Sequence, residues 1–195
     1  MATCVTEIAG NIGLDCTNPL EGGYTGRAIL IPLESVPTLT KSSTNPRIIS
    51  AISIASGKKV VSVDNEGSSP FDGSQTAGNN DAGYTKFTKS VNVRIPMRGA
   101  AAAKDVIEPL IKSGRGFIGI FEKVDRVGDG SFEVVGALKP LKCLDPSTAV
   151  RQEGANGGAW TVTLTTDETY AEVVFFDTDY DTTLEDFETL LESAF

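Results

Sequence analysis

Residues 84–124 constrain the fold most, because they predict a strand, a helix and a second strand in direct succession. From Ser90 onwards apolar and polar residues alternate up to Met97, which is the period of a half-buried strand. We expect the apolar residues to face a core and the polar residues to face solvent. The apolar set is Phe87, Val91, Val93 and Ile95, and the polar set is Lys86, Lys89, Asn92 and Arg94.

The next segment, Gly99–Gly114, predicts an amphipathic helix because its apolar residues recur at three- and four-residue spacing. Pro109 lacks an N–H, so the helix must kink there or begin a new first turn, and Gly114 suits a left-handed C-cap. The apolar run Gly116–Val124 then predicts a strand. A helix that lies on a sheet between two strands follows from this order.

The other segments predict more strands and one more helix. Gly26–Val36 predicts a strand whose apolar run ends at Pro32, at a sheet edge or a strand end. Arg47–Asn65 predicts a hairpin with its turn at Ser56 and Gly57. A further strand is predicted at Ser131–Leu144, and we expect it to pair with Phe117–Val124. Two more strands are predicted at Ala159–Thr166 and Tyr170–Asp177, joined by a tight connection.

Four segments complete the prediction of a single domain over residues 1–195. Residues 1–23 carry many glycines and are interpreted as an N-terminal arm. Residues 66–83 predict a long irregular loop, whereas 37–46 predict a polar connection. Residues 182–195 predict a short amphipathic helix with Thr182 or Thr183 as its N-cap. The expected fold class is mainly β: an antiparallel β-sandwich or barrel, one helix packed on the sheet and a C-terminal helix.

Composition argues against several classes of function. The chain carries 17 Lys and Arg against 26 Asp and Glu, and the net charge of −9 disfavours a phosphate-binding surface. The absence of histidine removes the commonest general base and metal ligand. The N-terminus indicates neither a signal peptide nor a membrane span, so we expect synthesis in the cytoplasm and no membrane partner.

No catalytic motif emerges from the residue pattern. P-loop, dinucleotide-binding and nucleophile-elbow motifs are missing from the sequence. Asp177, Asp179 and Asp181 alternate as in a calcium loop, but an EF-hand's glycine and glutamate are not at the right spacing, so a solvated acidic turn is favoured. We therefore predict a non-enzymatic protein with no catalytic site, no cofactor and no metal.

The three cysteines, Cys4, Cys16 and Cys143, have no zinc-like spacing and are interpreted as thiols, with a Cys4–Cys16 disulfide as the alternative.

Two other patterns have a structural and a functional interpretation. Lysines and arginines form a possible basic stripe, for which a solvated sheet face is favoured over nucleic-acid binding. Trp160 is favoured as a core residue over a ligand-binding one. The stripe comprises Lys58, Lys59, Lys86, Lys89, Arg94 and Arg98.

The long loop is the candidate interaction site. Phe71 is a large apolar residue with little of its own chain to pack on, which favours burial against another subunit. The subunit-interface residues that we predict are Phe71, Asp72, Asn79, Asn80 and Tyr84.

Three stretches resemble small virion proteins of tailed bacteriophages. Cys16, Gly22 and Gly23 precede a strand that ends in an acidic residue, and Ile49–Lys58 matches the hairpin pattern I-x-x-I-x-[LIM]-x-x-G-K. With the strand–helix–strand unit, these features are similar to tail-tube-like and tail-ring proteins of crAss-like phages that infect Bacteroides-type hosts.

The resemblance implies a homo-oligomeric ring, hexameric or dodecameric, in the virion tail. It implies that inner sheets join around one lumen, that the long loop reaches the next subunit, that adjacent tail or collar proteins are partners, and that DNA passes through during genome ejection. Two alternatives stay open: a capsid decoration or head–tail connector protein, and a carbohydrate- or ligand-binding β-sandwich.

Overall fold

The computed structural model of the chain describes residues 23–64, 75–79, 85–97, 99–126, 128–144, 150–151 and 159–193. Within them the fold is mainly β and forms a β-sandwich with a C-terminal helix, as predicted. The strands are β1 (Tyr24–Pro32), β2 (Thr38–Lys41), β3 (Ile48–Ser53), β4 (Val61–Asp64), β5 (Gln75–Asn79), β6 (Thr85–Ile95), β7 (Phe117–Lys123), β8 (Phe132–Val135), β9 (Val150–Arg151), β10 (Trp160–Glu168) and β11 (Val174–Phe175).

The strands form two sheets. The large sheet has seven strands in the order β2-β3-β11-β8-β7-β1-β4, and the small sheet has four in the order β5-β6-β10-β9. All strand pairs are antiparallel except β3 and β11, which run parallel, so the large sheet is mixed. The centre of the small sheet is the β6–β10 ribbon, in which nine residue pairs from Trp160–Ile95 to Glu168–Phe87 stay in register.

The helices cover both faces of the large sheet. The central helix begins with α1 (Ala100–Ala102), continues as a π-helical turn (Ala103–Ile107) and ends with α2 (Glu108–Lys112). Pro109 lies in the first turn of α2, so the widened turn precedes the residue that lacks an N–H, as the sequence predicts. The C-terminal helix α3 (Tyr180–Glu192) lies on the opposite face of the large sheet.

Two apolar cores result from this arrangement. The interlayer core lies between the sheets and includes residues from β1, β6, β7, β10 and the central helix, such as Leu30, Val93 and Leu110. The second core lies under α3 and contains Ile120, Phe132 and Phe187. The Phe132 and Phe187 rings are tilted by 39° to each other, and their centroids lie 5.1 Å apart. Because adjacent strand residues point to opposite faces, β1, β7 and β8 each supply both cores.

The predicted hairpin Arg47–Asn65 is wrong. β3 pairs with β2 and β11, whereas β4 pairs with β1 at the opposite end of the large sheet. The connection instead runs past the turn Leu33–Ser35: the Ala55 N–H donates to the Ser35 carbonyl over 3.1 Å, and the Ser35 hydroxyl donates to the Lys59 carbonyl over 2.7 Å. Alternation predicts a strand's faces but not its partner.

Several bounds also differ from the prediction. β2 lies inside the segment interpreted as a polar connection, and β5 lies inside the predicted long loop. β10 continues to Glu168 through residues predicted as a connection, while β11 is limited to Val174–Phe175. The N-cap of α3 is Asp179, whose carboxylate accepts the Thr182 N–H over 2.8 Å; neither predicted threonine is the cap.

The predicted strand Ser131–Leu144 pairs with β7 as expected but is interrupted. After β8, Gly136 has a φ of +91°, and pairing with β7 resumes only at Leu141, which bridges Phe117. Lys142 then bridges Thr165 of β10, so this segment crosses from the large sheet to the small one. The crossing ties the two layers together at one end of the sandwich.

Candidate functional site

Four of the five predicted interface residues, Phe71, Asp72, Asn80 and Tyr84, lie outside the described residues. Asn79 is the last residue of β5, where its backbone is in register with Thr85 of β6. β5 thus replaces part of the predicted loop by an edge strand of the small sheet.

A buried cluster of one amine and two carboxyl groups lies between the sheets. Lys89 comes from β6, Glu133 from β8 of the large sheet and Glu168 from β10, and all three side chains are at most 2% exposed. The Lys89 Nζ lies 2.9 Å from Glu133 Oε1 and 3.4 Å from Glu168 Oε2. We call these three residues the interlayer trio. It joins three strands and both sheets at one nitrogen atom.

The remaining oxygens of the trio have different surroundings. The Tyr24 hydroxyl donates to Glu133 Oε2, and the Lys123 Nζ lies 3.9 Å from the same oxygen. The Gly136 N–H donates to Glu168 Oε1 over 2.9 Å. Glu168 Oε2 is buried and accepts no hydrogen bond, so its closest polar contact given by the structure is the Lys89 amine. This oxygen therefore retains lone pairs that can accept a hydrogen bond.

The position of Lys89 corrects the sequence prediction, which placed its side chain on the solvent-facing side with Lys86. Lys89 is in phase with Val91, Val93 and Ile95, and its side chain follows theirs into the interlayer core. Glu168 likewise continues the buried positions of β10. The signal that could have revealed them is the strict two-residue period, which the charge of lysine and glutamate obscures.

A second buried carboxylate, Glu122, lies on the α3 side of the large sheet. It accepts hydrogen bonds from Thr25 and Tyr180, each over 3.1 Å, and its Oε1 lies 3.5 Å from Arg126 Nε. Burial, and then the Glu122 charge, raises the pKa of the Tyr180 phenol. Because Tyr180 is the first residue of α3 and Glu122 lies in β7, their hydrogen bond connects the start of this helix to the large sheet.

The outer face of the small sheet is polar and hydrogen-bonded. Asp167 accepts hydrogen bonds from Lys86 over 2.6 Å and Thr88 over 2.7 Å, which together hold the pKa of its carboxyl below the ordinary value. The Thr163 hydroxyl lies 2.8 Å from the Asn92 side-chain oxygen. Lys86 and Lys89 therefore face opposite sides of the sheet, so the proposed basic stripe is not one surface.

Two further sequence predictions have a structural outcome. Trp160 is half-buried and packs against the interlayer core, as the favoured interpretation requires. In the acidic segment, Asp179 caps α3, and the Thr182 N–H lowers the pKa of its carboxyl. Over the described ranges, no group of three or more acidic or cysteine side chains is arranged to hold a metal ion.

The described helices include none with the length and apolarity needed to cross a membrane. In comparisons with models of protein families, with curated proteins and with solved structures, no match to this chain was found.

Proposed function

We propose that this chain is a non-enzymatic structural subunit of a phage virion, which assembles into a tail-tube or tail-ring through which the genome passes. The proposal begins from the resemblance of the sequence to tail proteins. The single structural observation that supports it best is the outer face of the small sheet, which is polar and bears few charges although the chain as a whole is acidic.

The chemistry of this face suits the wall of a channel for DNA. Its nine positions on β6 and β10 hold only three charged residues, of which Lys86 and Asp167 form an ion pair and Arg94 is the third. Cations on a wall bind phosphates and release counterions, so a stripe of unpaired lysines would retain DNA. Hydroxyl and amide groups interact with a hydrated polyanion without holding it. The remaining positions are Thr88, Ser90, Asn92, Thr161, Thr163 and Thr165.

The edges of the same sheet suit assembly. Among the described strands, β5 and β9 each pair with one neighbour, so each has a row of backbone groups directed away from the sheet. Such edges pair readily with other chains. If β5 of one copy pairs with β9 of the next, the small sheets join into one continuous wall, and repeated rotation closes it into a ring.

The large sheet suits the role of a rigid outer support. Its faces are covered by the small sheet with the central helix on one side and by α3 on the other. Among the described residues, the remaining broad sheet surface is the outer face of the small sheet, which we assign to the wall of the channel.

The test combines sedimentation with proline substitution in β5. Successive residues of an edge strand direct their N–H groups alternately outwards and towards the neighbouring strand. Thr76 and Ala77 are adjacent in β5, so a proline at one of them removes an outward N–H donor, and a proline at the other removes a hydrogen bond to β6. We expect wild-type protein to sediment as a ring. The variant that keeps the wild-type melting temperature should sediment as a single subunit, and rings that persist in that variant would contradict pairing through β5.

A further inference from the structure

We propose that the interlayer trio is a modification site at which Lys89 and Glu133 become joined by an intramolecular amide bond. Glu168 carries the proton in this reaction. The bond would link β6 of the small sheet to β8 of the large sheet. It would make each subunit's two layers one covalent unit, a property separate from the ring assembly proposed above.

The reacting groups are already in contact. The Lys89 Nζ lies 2.9 Å from Glu133 Oε1, and the carboxyl carbon that it must attack is one bond from that oxygen. Reactants held at such a distance react as an intramolecular pair, whose effective concentration can reach about 10⁵ M or more. Both side chains are buried between the two sheets, at 0% and 2% exposed, so solvent does not separate the two groups.

The surroundings divide the roles between the two carboxyl groups. Glu133 Oε2 accepts a hydrogen bond from the Tyr24 hydroxyl and lies 3.9 Å from the Lys123 Nζ, so negative charge that develops on this oxygen during attack is stabilised. Glu168 Oε2 has no hydrogen-bond donor and lies 3.4 Å from the attacking nitrogen. It is therefore placed to accept a proton from nitrogen, whereas Glu133 is placed to accept the nucleophile.

The step is a condensation without any change of oxidation state. Proton transfer within the trio gives a neutral Lys89 amine and a Glu133 carboxylic acid; this removes charge from an apolar interior. The nitrogen attacks the Glu133 carboxyl carbon, Glu168 takes a proton from nitrogen and passes it to the departing hydroxyl, and the C–O bond breaks. The products are one amide and one water molecule, and exclusion of solvent slows the reverse hydrolysis.

Every other lysine–carboxylate contact given for the described residues includes at least one side chain that is 23% exposed or more. The Lys86 and Asp167 side chains, 2.6 Å apart, are 44% and 34% exposed, and the pair formed by Lys123 with Glu172 is also accessible to solvent. Water there stabilises the charged forms and competes for the carboxyl group. Lys86 is consequently a matched control for Lys89 on the same strand.

The test is the mass of the folded wild-type protein and of its tryptic peptides. We expect a chain that is lighter than its sequence by one water, a branched peptide that joins the β6 and β8 segments, and no cleavage after Lys89. Lys86→Arg should keep the bond. Lys89→Arg should have the full mass calculated from its sequence. Glu168→Gln should also have its full calculated mass, with a circular dichroism spectrum like that of the wild type.

Two results would overturn the proposal. Folded wild-type protein that keeps its full mass and is cut after Lys89 when unfolded and digested would show that no amide forms, whatever the variants do. A Glu168→Gln chain that forms the amide as fast as wild type would overturn the role of Glu168. Both are read from the mass of a single chain, so failure here is distinct from failure of ring assembly.

Discussion

Replacing Lys89 by methionine should destabilise this protein far more than the same replacement of Lys86, three residues earlier on the same strand. Methionine approximates the length of the lysine side chain but removes the nitrogen atom that lies between Glu133 and Glu168, whether that nitrogen forms an ion pair or an amide bond. The two carboxyl groups are then left together in the interlayer core. Removing one partner of a buried ionic group costs about 3–5 kcal/mol.

The control change removes a surface interaction. Lys86 and Asp167 are 44% and 34% exposed, and such pairs contribute at most about 1 kcal/mol. For a domain of this length, a loss of 1 kcal/mol lowers the melting temperature by roughly 2–4 °C. We therefore expect Lys89→Met to melt at least about 6 °C lower than wild type and Lys86→Met within about 4 °C of it.

The assay is urea and thermal unfolding followed by far-ultraviolet circular dichroism, with the slope of the urea transition compared between the variants. An unchanged slope attributes the lower midpoint to stability and not to a change in compactness. Equal, small losses for both variants would refute the placement of Lys89 between the sheets. A triple variant that also carries Glu133→Gln and Glu168→Gln should recover part of the loss, because it removes the uncompensated carboxylates.

Three further predictions concern the backbone and the surface charges. Gly136→Ala should lower the free energy of unfolding by about 3 kcal/mol or more, because its φ is +91° and a Cβ would lie 2.6 Å from the Phe117 carbonyl oxygen. Gly57 also has a positive φ, +75°, but a Cβ there would meet no atom within 4 Å, so Gly57→Ala should cost about 1 kcal/mol. Urea unfolding measures both losses. Asp167→Asn should lower the stability of the folded protein slightly at neutral pH. The pKa of this carboxyl is lowered in the folded state, so its contribution to stability is present above pH 3.8 and is lost as the pH falls through the folded pKa. A stability advantage of the wild type that persisted in stronger acid would contradict this. Asp186→Asn should raise the neutral-pH melting temperature, because burial, and then the charges of neighbouring carboxylates, raise the pKa of Asp186, and its ionised form is disfavoured in the folded state; a lower melting temperature would oppose this account.

The sequence predicts well those elements whose periodicity is unbroken. β6, β7 and the helix interrupted at Pro109 all appear where alternation and helical spacing place them. Val162 and Leu164 of β10 face the interlayer core for the same reason. These elements could be predicted because the buried positions are every second residue of a strand or one face of a helix, so apolar residues recur in the sequence with the same period.

The arrangement of strands could not be predicted in the same way. Ile49 and Val63 are both buried within the segment predicted as one hairpin, yet they lie in different cores because they face opposite sides of the large sheet, and β3 and β4 lie far apart in its strand order. β2 and β5 are short, polar edge strands, whose formation depends on the partner strand and not on their own composition. Pairing partners are set by the whole tertiary structure, which local alternation does not record.

The interlayer trio shows the same limit for sites. A lysine or glutamate in a strand normally faces solvent, and so the charge of Lys89 outweighed its phase with Val91. Lys89, Glu133 and Glu168 are also separated by 44 and 35 residues along the chain, and only the packing of β6, β8 and β10 brings them together. The two-residue period can indicate which strand positions are buried, but the contact between the three side chains cannot be deduced from spacing.

We propose that the working form of this protein is a closed assembly whose inner wall is the small sheet. Electron microscopy of the purified wild-type chain in negative stain can reveal such an assembly. We expect annular particles of uniform diameter with a stain-filled centre. A homogeneous field of single subunits, matched by a monomer mass in light scattering at high protein concentration, would contradict it.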